Sequence, residues 1–476
     1  MPSRSTKCSA AAISRCRSGF SPTPCLELKM SSEKPEIIMK RPLLFLAGLP
    51  LLVWAAFALP DIVASAKNLW DWRRALILLS GTLALWWMSA GMVLAARPPK
   101  LEKYFGGLDR LYRLHKDIGI GAGLLVFTHW MLEWLPKNLA KAGFIERPVR
   151  GPRPPRGQED MWIDLAKDVG EWAGYILLAL VVIALVKRIP YRYFRWVHKL
   201  FPLVFIAGAF HGLMLMPTNF WQQPLGWLTA GVAALGVGPA VLSLLGRIGA
   251  RRQHVAHIES LSCHADGVLE VHCRPTGWPG HKAGQHVLAD FGHTAEGAHP
   301  FTLANAWHPA TGTLTLSIKG LGDYTRQLAE RLAIGQAVKL EGPYGAFTFD
   351  ADKAGIGEIW VAGGIGITPF LARLEELARQ SERTGRPIEL FYATRAEHAD
   401  AYPANLPALC EAAGVRLHRR YTDTQGPFDT RDILRHATAG SSVWFCGPEA
   451  WGLALEKAVA STTPPVRFER ELFAFR

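Results

Sequence analysis

Six apolar stretches, each about twenty residues long, fill 42–60, 74–96, 115–135, 170–187, 197–216 and 225–246. A spanning helix needs about 20 such residues, and backbone in lipid must satisfy its own hydrogen bonds. The sequence therefore predicts six transmembrane helices and a lipid bilayer around residues 39–248. The net charge is +13, from 53 Lys+Arg against 40 Asp+Glu. A nucleic-acid binder could carry that charge, but here the basic residues cluster in short linkers between apolar runs, so no nucleic-acid partner is expected. The linkers after the second and fourth stretches carry most of them: Arg97, Lys100, Lys103, Arg110 and Arg113, then Lys187, Arg188, Arg192 and Arg195. Those linkers and the C-terminal half are accordingly assigned to the cytoplasm, in a multi-pass protein of the cell (inner) membrane. The long linker with RPVRGPRPPRG is assigned outside, as an irregular loop.

Residues 1–38 read as a non-native or disordered extension. They are Ser- and Arg-rich, with no acidic residue before Glu27. A transit peptide has that composition, but an upstream start is the preferred reading, with Met30 or Met39 as the true beginning. The seven cysteines, at 8, 16, 25, 263, 273, 410 and 446, form no CxxC pair, so neither a zinc site nor a disulfide framework is indicated.

Beyond Arg252 the pattern changes. Short β-type runs such as VLEVHC, HVLAD and LTLSIKG, broken by Gly and Pro, predict an antiparallel barrel over residues 250–350. From residue 355 to 476, strand and helix patterns alternate (EIWVAGG, TPFLARLEELARQ, IELFYAT, SSVWFCG), which predicts a parallel α/β domain. The fold class is thus multi-domain: an α-helical membrane bundle followed by a β-barrel and an α/β unit.

Four histidines stand inside the apolar stretches. His115 and His129 are 14 residues apart in the third, and His198 and His211 are 13 apart in the fifth. Either spacing is close to four helical turns, roughly 20 Å. Each pair therefore lies on one helix face. With one span between them the two helices run the same way, so His115 is level with His198 and His129 with His211. Ionisable residues at such depth are rare and usually functional, and neutral imidazole is a good haem-iron ligand. The arrangement suits two haems, one above the other. Read singly, each histidine could equally be a helix-end residue bonded to a loop.

The C-terminal half carries its own motifs. His299-Pro300-Phe301-Thr302 follows a strand; its Thr hydroxyl can bond a planar ring, or the motif is simply a tight turn. Lys319-Gly320-Leu321-Gly322-Asp323-Tyr324-Thr325 leads from strand to helix. Its glycines and the free N–H groups of the helix start suit a pyrophosphate, and a plain turn capped by Asp323 or Thr325 is the alternative. Gly342-Pro343-Tyr344-Gly345 is a turn able to end the barrel. In VAGGIGITPF, Gly363, Gly364 and Gly366 precede Thr368-Pro369 at a helix start, a phosphate-cradling pattern that lacks the GxGxxG spacing. Cys446-Gly447-Pro448 closes a strand at a sheet's carboxyl edge, where nucleotides bind. Its Cys either approaches a nicotinamide or is a small buried residue.

In this order and spacing, the motifs resemble the ferric reductase/NADPH oxidase superfamily over residues 42–476. FGGLDRLYRLHKDIG, around His115, is similar to bacterial members. The resemblance implies FAD on the barrel (His299, Pro300, Phe301, Thr302, Lys319, Gly320, Gly322, Thr325) and NADPH or NADH on the α/β domain (Gly363, Gly364, Gly366, Thr368, Pro369, Cys446, Gly447, Pro448). It also implies two b-type haems held by His115, His198, His129 and His211. Catalytic roles fall to Cys446, Thr302 and a flavin-covering aromatic, for which Phe475 is chosen and Phe473 is the fallback. Arg395, following a strand, either meets a 2′-phosphate and so favours NADPH, or is a solvated loop residue. The implied path runs from NAD(P)H through FAD and the inner and outer haems to an external acceptor, dioxygen or a ferric chelate.

Oxidases of the superfamily are similar in carrying an Arg near the outer end of the second span and a His one turn beyond the outer haem ligand. Arg73 or Arg74 fits the first position. The second holds Glu133, which opens the acceptor question: the carboxylate either attracts a cation or caps the helix. The rival from another class is a haem-free transporter or scaffold with a redox-sensing flavoprotein domain.

Overall fold

The computed structural model describes residues 37–146 and 158–471, apart from 187, 190, 265, 293–296, 351–354, 381–384, 396–401, 404 and 464–465. The extension before residue 37, the Pro/Arg-rich stretch at 147–157, and both Phe473 and Phe475 lie outside the described residues. The described chain forms two compact units divided near Gly249, an α-helical one and a β-rich one.

The helical unit contains α1 (Ile37–Phe57), α2 (Leu59–Ser65), α3 (Leu69–Ala95), α4 (Pro99–Phe105), α5 (Leu108–Lys141), α6 (Gln158–Leu185), α7 (Tyr191–His198), α8 (Phe201–Met214), α9 (Thr218–Trp221) and α10 (Pro224–Leu244). Among the described residues, five spans are long and apolar enough to cross a membrane. A sixth exists if α1 and α2, bent by 47°, count as one. The bend falls at Ala58, beside Pro60. The fifth span, Tyr193–Met214, is one span of 22 residues, with a short turn at Lys199–Leu200 where Pro202 has no N–H to give the His198 carbonyl. The third span is longer than its apolar run. Helix α5 has 34 residues and starts at Leu108, placing His115 two turns inside rather than at its start. Asn68 caps α3 by accepting from the Trp70 and Asp71 N–H groups, the usual work of an N-cap Asn. Small residues let the spans approach closely. A Cβ on Gly121 would overlap the Trp87 ring, and one on Gly236 would come within 2.6 Å of Phe205.

The β-rich unit holds two sheets. The first is antiparallel, in the order β4-β3-β6-β1-β2-β5, from β1 (Gln253–Cys263), β2 (Val268–Pro275), β3 (His286–Asp290), β4 (His299–Thr302), β5 (Leu314–Lys319) and β6 (Ala337–Tyr344). A bridge between Leu303 and Leu316 joins its two edge strands. Inside lie Ile258, Val271, Val287, Leu316 and Leu340. Helix α11 (Asp323–Arg331) follows β5. The second sheet is parallel, in the order β11-β10-β7-β8-β9, from β7 (Glu358–Gly363), β8 (Ile388–Thr394), β9 (Arg416–Tyr421), β10 (Ser442–Cys446) and β11 (Arg467–Arg470). Helices α12 (Thr368–Arg379), α13 (Leu406–Ala413), α14 (Thr422–Gln425), α15 (Thr430–Leu434) and α16 (Glu449–Val459) complete the unit. Its central strands are buried on both faces, as parallel sheets require. Trp360, Leu390 and Trp444 pack on one side, and Val361, Phe391 and Phe445 on the other.

The two sheets are tied together. Phe347 and Phe349, just after β6, pack edge-on or tilted against Trp444. The Glu376 carboxylate of α12 accepts from the Ala283 N–H at 3.2 Å, and that of Glu375 accepts from the Ala306 N–H at 3.1 Å. Trp360, fully buried, stacks on Phe370 at 5.6 Å. Trp360→Ala should cost about 3–5 kcal/mol, as large buried aromatics do. Denaturant unfolding followed by far-UV circular dichroism reads this directly, and a loss below about 1 kcal/mol would show that the sheet core is elsewhere.

Candidate functional site

Helices α5, α7 and α8 bring the four membrane histidines together in two pairs. His115 faces His198 with ring centres 6.0 Å apart, and His129 faces His211 at 6.3 Å. A metal between two imidazoles needs about 2.0 Å to each nitrogen, with each ring centre about 1 Å further back, or roughly 6 Å in all. Both separations fit that requirement. The pairs sit 14 residues apart along the continuous helix α5, about 21 Å.

The outward nitrogens are fixed by backbone. His115 Nδ1 donates to the Gly91 carbonyl at 3.0 Å, His129 Nδ1 to Ile77 at 3.0 Å, and His211 Nδ1 to Ala166 at 2.8 Å. With the proton held on Nδ1, Nε2 carries the lone pair, the usual arrangement behind a metal-ligating histidine. His198 differs: its Nδ1 is buried without a hydrogen-bond partner among the described residues, and its ring is held by Phe194 and Phe201. Glycines make room for these rings. A Cβ on Gly170 would overlap the His211 imidazole, and one on Gly81 would sit 3.2 Å from His129. These residues fit a bis-imidazole porphyrin iron at each level.

One turn beyond His129, Glu133 is already engaged. Arg73 pairs with its carboxylate and also donates to its backbone carbonyl at 3.0 Å and to that of Leu132 at 2.8 Å. Lys137 pairs with the same carboxylate.

In the β-rich unit, β4 carries the HPFT residues beside β3. His286 pairs with Thr302, Val287 with Phe301, Leu288 with Pro300 and Ala289 with His299. The Thr302 hydroxyl is buried with no hydrogen-bond partner among the described residues. A buried hydroxyl left so is costly, and a flavin ring edge would satisfy it. His299 stacks on Tyr324 at 3.9 Å and 21°, which brings the HPFT strand to the Lys319–Thr325 turn. There Thr325 Oγ1 accepts from the Gly322 N–H at 3.1 Å, so this hydroxyl closes the turn as a cap. Gly320 and Leu321 give their carbonyls to the Arg326 guanidinium.

At the carboxyl edge of the parallel sheet, the two glycine turns touch backbone to backbone. A Cβ on Gly447 would sit 3.1 Å from the Gly363 N, one on Gly363 would press within 2.6 Å of Pro448, and one on Gly366 would overlap the Cys446 carbonyl. Gly364–Ile367 form a single 3-10 turn before α12, whose first turn holds Thr368 and Pro369. The Thr368 hydroxyl donates to the Ile365 carbonyl at 3.1 Å. The Thr368 N–H also donates to the Ile365 carbonyl, and Pro369 has no N–H; the glycine turn itself stands beside Cys446-Gly447-Pro448, at the sheet edge where nucleotides bind. Arg395, exposed, follows the end of β8.

Sequence reasoning misses two residues at this edge. Cys446 Sγ stands 3.8 Å from Glu471 Oε2, and Glu471 Oε1 stands 3.7 Å from His286 Nδ1. Cys446 is fully buried, and burial together with Glu471 pushes its thiol well above the ordinary range. It is a neutral thiol, not a nucleophile. Burial likewise raises the Glu471 carboxyl, against the opposing pull of His286. No local pattern marks either residue: Glu471 stands in a tail notable for its aromatics, and His286 opens an ordinary β run. The buried trio joins β3 of the first sheet to β10 of the second.

The chain matches two protein families: the ferric reductase like transmembrane component over residues 80–209 and an FAD-binding domain over residues 254–348. A superoxide-generating NADPH oxidase heavy chain of Dictyostelium discoideum is 25% identical over 63% of this chain and 70% of its own length. NADPH oxidase 3 of Homo sapiens is 26% identical over 48% and 47%. The beta subunit of a heme-dependent oxidative N-demethylase from Ectopseudomonas mendocina (strain ymp) is 38% identical over 32% and 46%. The chain thus spans about half the length of two of these three relatives. It carries a ferric reductase like transmembrane component and an FAD-binding domain, and is similar to NADPH oxidases. It is a multi-pass membrane protein with a flavin-binding domain.

The raised carboxyl gives a pH dependence of fixed sign. The folded chain holds the Glu471 proton more tightly than the unfolded one, so its stabilisation is complete below about pH 4.5, the ordinary value, and fades as pH rises through the folded value. Glu471→Gln should flatten that fall in a series of unfolding midpoints; an unchanged slope would mean the carboxyl is not raised. Separately, Gly170→Ala should displace His211 and reduce bound haem towards one per chain, read by pyridine haemochromogen assay. Full haem content in that variant would contradict the placement of His211.

Proposed function

We propose that this chain is a transmembrane oxidoreductase of the cell (inner) membrane. It passes electrons from cytoplasmic NADPH, through FAD and two b-type haems, to an acceptor on the far side. The observation that carries this reading is the two facing imidazole pairs, each spaced for one metal and set about 21 Å apart on a 34-residue apolar helix. NAD(P)H supplies electrons in pairs, haem iron accepts them singly, and a flavin converts between the two.

The residues divide the work. His115 with His198, and His129 with His211, hold the haems, and the Gly91, Ile77 and Ala166 carbonyls fix the tautomers of three of the four imidazoles. Thr302 orients the flavin ring, while the start of α11, past the Lys319–Thr325 turn, holds its phosphates. Gly363, Gly364, Gly366, Thr368 and Pro369 hold the nicotinamide nucleotide's phosphates. Cys446, Gly447 and Pro448 lie along the nicotinamide, and Arg395 meets the 2′-phosphate. Glu471, whose carboxyl burial raises and which stands 3.7 Å from His286, would lie at the junction where the two rings meet.

The acceptor reading is sharpened by Glu133. Arg73 and Lys137 neutralise it, so it does not serve as a cation trap. With Arg74 nearby in sequence, the outer end of α3 and α5 is net positive. That favours an anionic ferric chelate over a free ferric cation; dioxygen remains the alternative acceptor. In the purified protein, His129→Leu or His211→Leu should leave flavin reduction by NADPH intact and cut ferric-chelate reduction at least tenfold. Full acceptor reduction by both variants would overturn the haem assignment. NADPH use that requires ferric chelate, with no superoxide signal in air, would exclude the oxidase version.

A further inference from the structure

A second cluster of ligating groups lies in the parallel sheet, away from the nucleotide edge. Glu389 is the second residue of β8, His418 the third of β9, and His436 follows α15. Their side chains converge: Glu389 Oε2 is 2.7 Å from His418 Nε2 and 2.8 Å from His436 Nδ1. All three ligand atoms lie within 4.8 Å of one another. We propose that Glu389, His418 and His436 form a binding site for one divalent late first-row metal ion, with Zn2+ the best fit.

The donor set decides the chemistry. Two imidazole nitrogens and one carboxylate oxygen suit Zn2+ and its neighbours, whereas Mg2+ and Ca2+ favour oxygen ligands. Around a tetrahedral ion with arms of about 2.0–2.1 Å, the ligand atoms stand roughly 3.3 Å apart. The present contacts need to open by only about half an ångström. The ligands are also held from behind. His418 stacks on Phe391 with ring centres 4.4 Å apart and planes 10° apart, and His436 meets the same ring edge-on at 5.2 Å. The other Glu389 oxygen accepts from Arg416 at 3.2 Å. Such supporting contacts are what keep a ligand set in place. The His436 side chain is 35% exposed, which leaves an access path and a fourth position for water.

The location separates this site from the redox chemistry. From Glu389 to the end of β8 at Thr394 is five residues of strand, about 17 Å, so the ion would sit far from the carboxyl edge. It would clip β8, β9 and the residue after α15 together, a structural role for the nucleotide-binding sheet.

The test uses the full-length protein with its flavin and haem, stripped with chelator and then dialysed against Zn2+. Metal per chain is read by mass spectrometry, and Co2+ is substituted as a visible probe. Wild type should hold one more zinc than His436→Ala or Glu389→Gln, show tetrahedral Co2+ bands that both variants lose, and gain in unfolding temperature with zinc where the variants do not. His436→Cys, which keeps a ligand, should restore the metal. His436 is exposed, so its removal leaves the fold intact, and flavin content verifies this. Equal zinc in wild type and both variants would overturn the proposal and leave the trio an ion-pair cluster. Zinc is redox-inert, so the outcome is independent of any ferric-reducing activity.

Discussion

A neutral imidazole in an apolar helix bundle must do something with its N–H, and for three of the four membrane histidines a backbone carbonyl takes it. Gly91, Ile77 and Ala166 each accept from a histidine Nδ1 at 2.8–3.0 Å. A polar hydrogen buried without such a bond costs several kcal/mol in hydrocarbon. The bonds therefore fix ring orientation as well as protonation, and they leave a lone pair on each opposite nitrogen. The rings of each pair meet nearly perpendicular, at 71° and 86°. Glycines at 81 and 170 are needed because the rings occupy space a Cβ would fill. The helical unit can thus be read as a scaffold that holds four imidazoles in two facing pairs.

The β-rich unit solves a different problem, bringing two nucleotide-type turns to one edge. The glycines of GGIG and CGP matter here because the turns touch through backbone. The Cys446–Glu471–His286 trio then places a buried carboxyl between the two sheets. Burial raises both the Cys446 thiol and the Glu471 carboxyl, so the thiol is not set up for nucleophilic attack.

Much of this is legible in the sequence because each signal is periodic or local. Apolar length gives the spans, a 14-residue interval gives a shared helix face, and Gly-rich turns after apolar strands give the sheet edge. What is not legible depends on single prolines or on tertiary approach. The bend beside Pro60 makes the first span a pair of helices, which average hydropathy smooths over. In the sequence Glu133 stands free to meet a cation, but Arg73 and Lys137, 60 residues and one turn away, claim it. Glu389, His418 and His436 are spread over nearly 50 positions, and only the β8–β9 register and the end of α15 bring them together. Thr325, open in sequence to a phosphate-binding or a capping role, is placed as a cap.

The most direct test of the central claim is the haem count of the purified chain, taken with its anaerobic difference spectrum after NADPH addition. Two paired-imidazole sites predict two b-type haems per chain, with a low-spin α band that develops on NADPH and disappears on adding ferric chelate or air. A flavin-containing, folded protein with no b-type band would contradict the account.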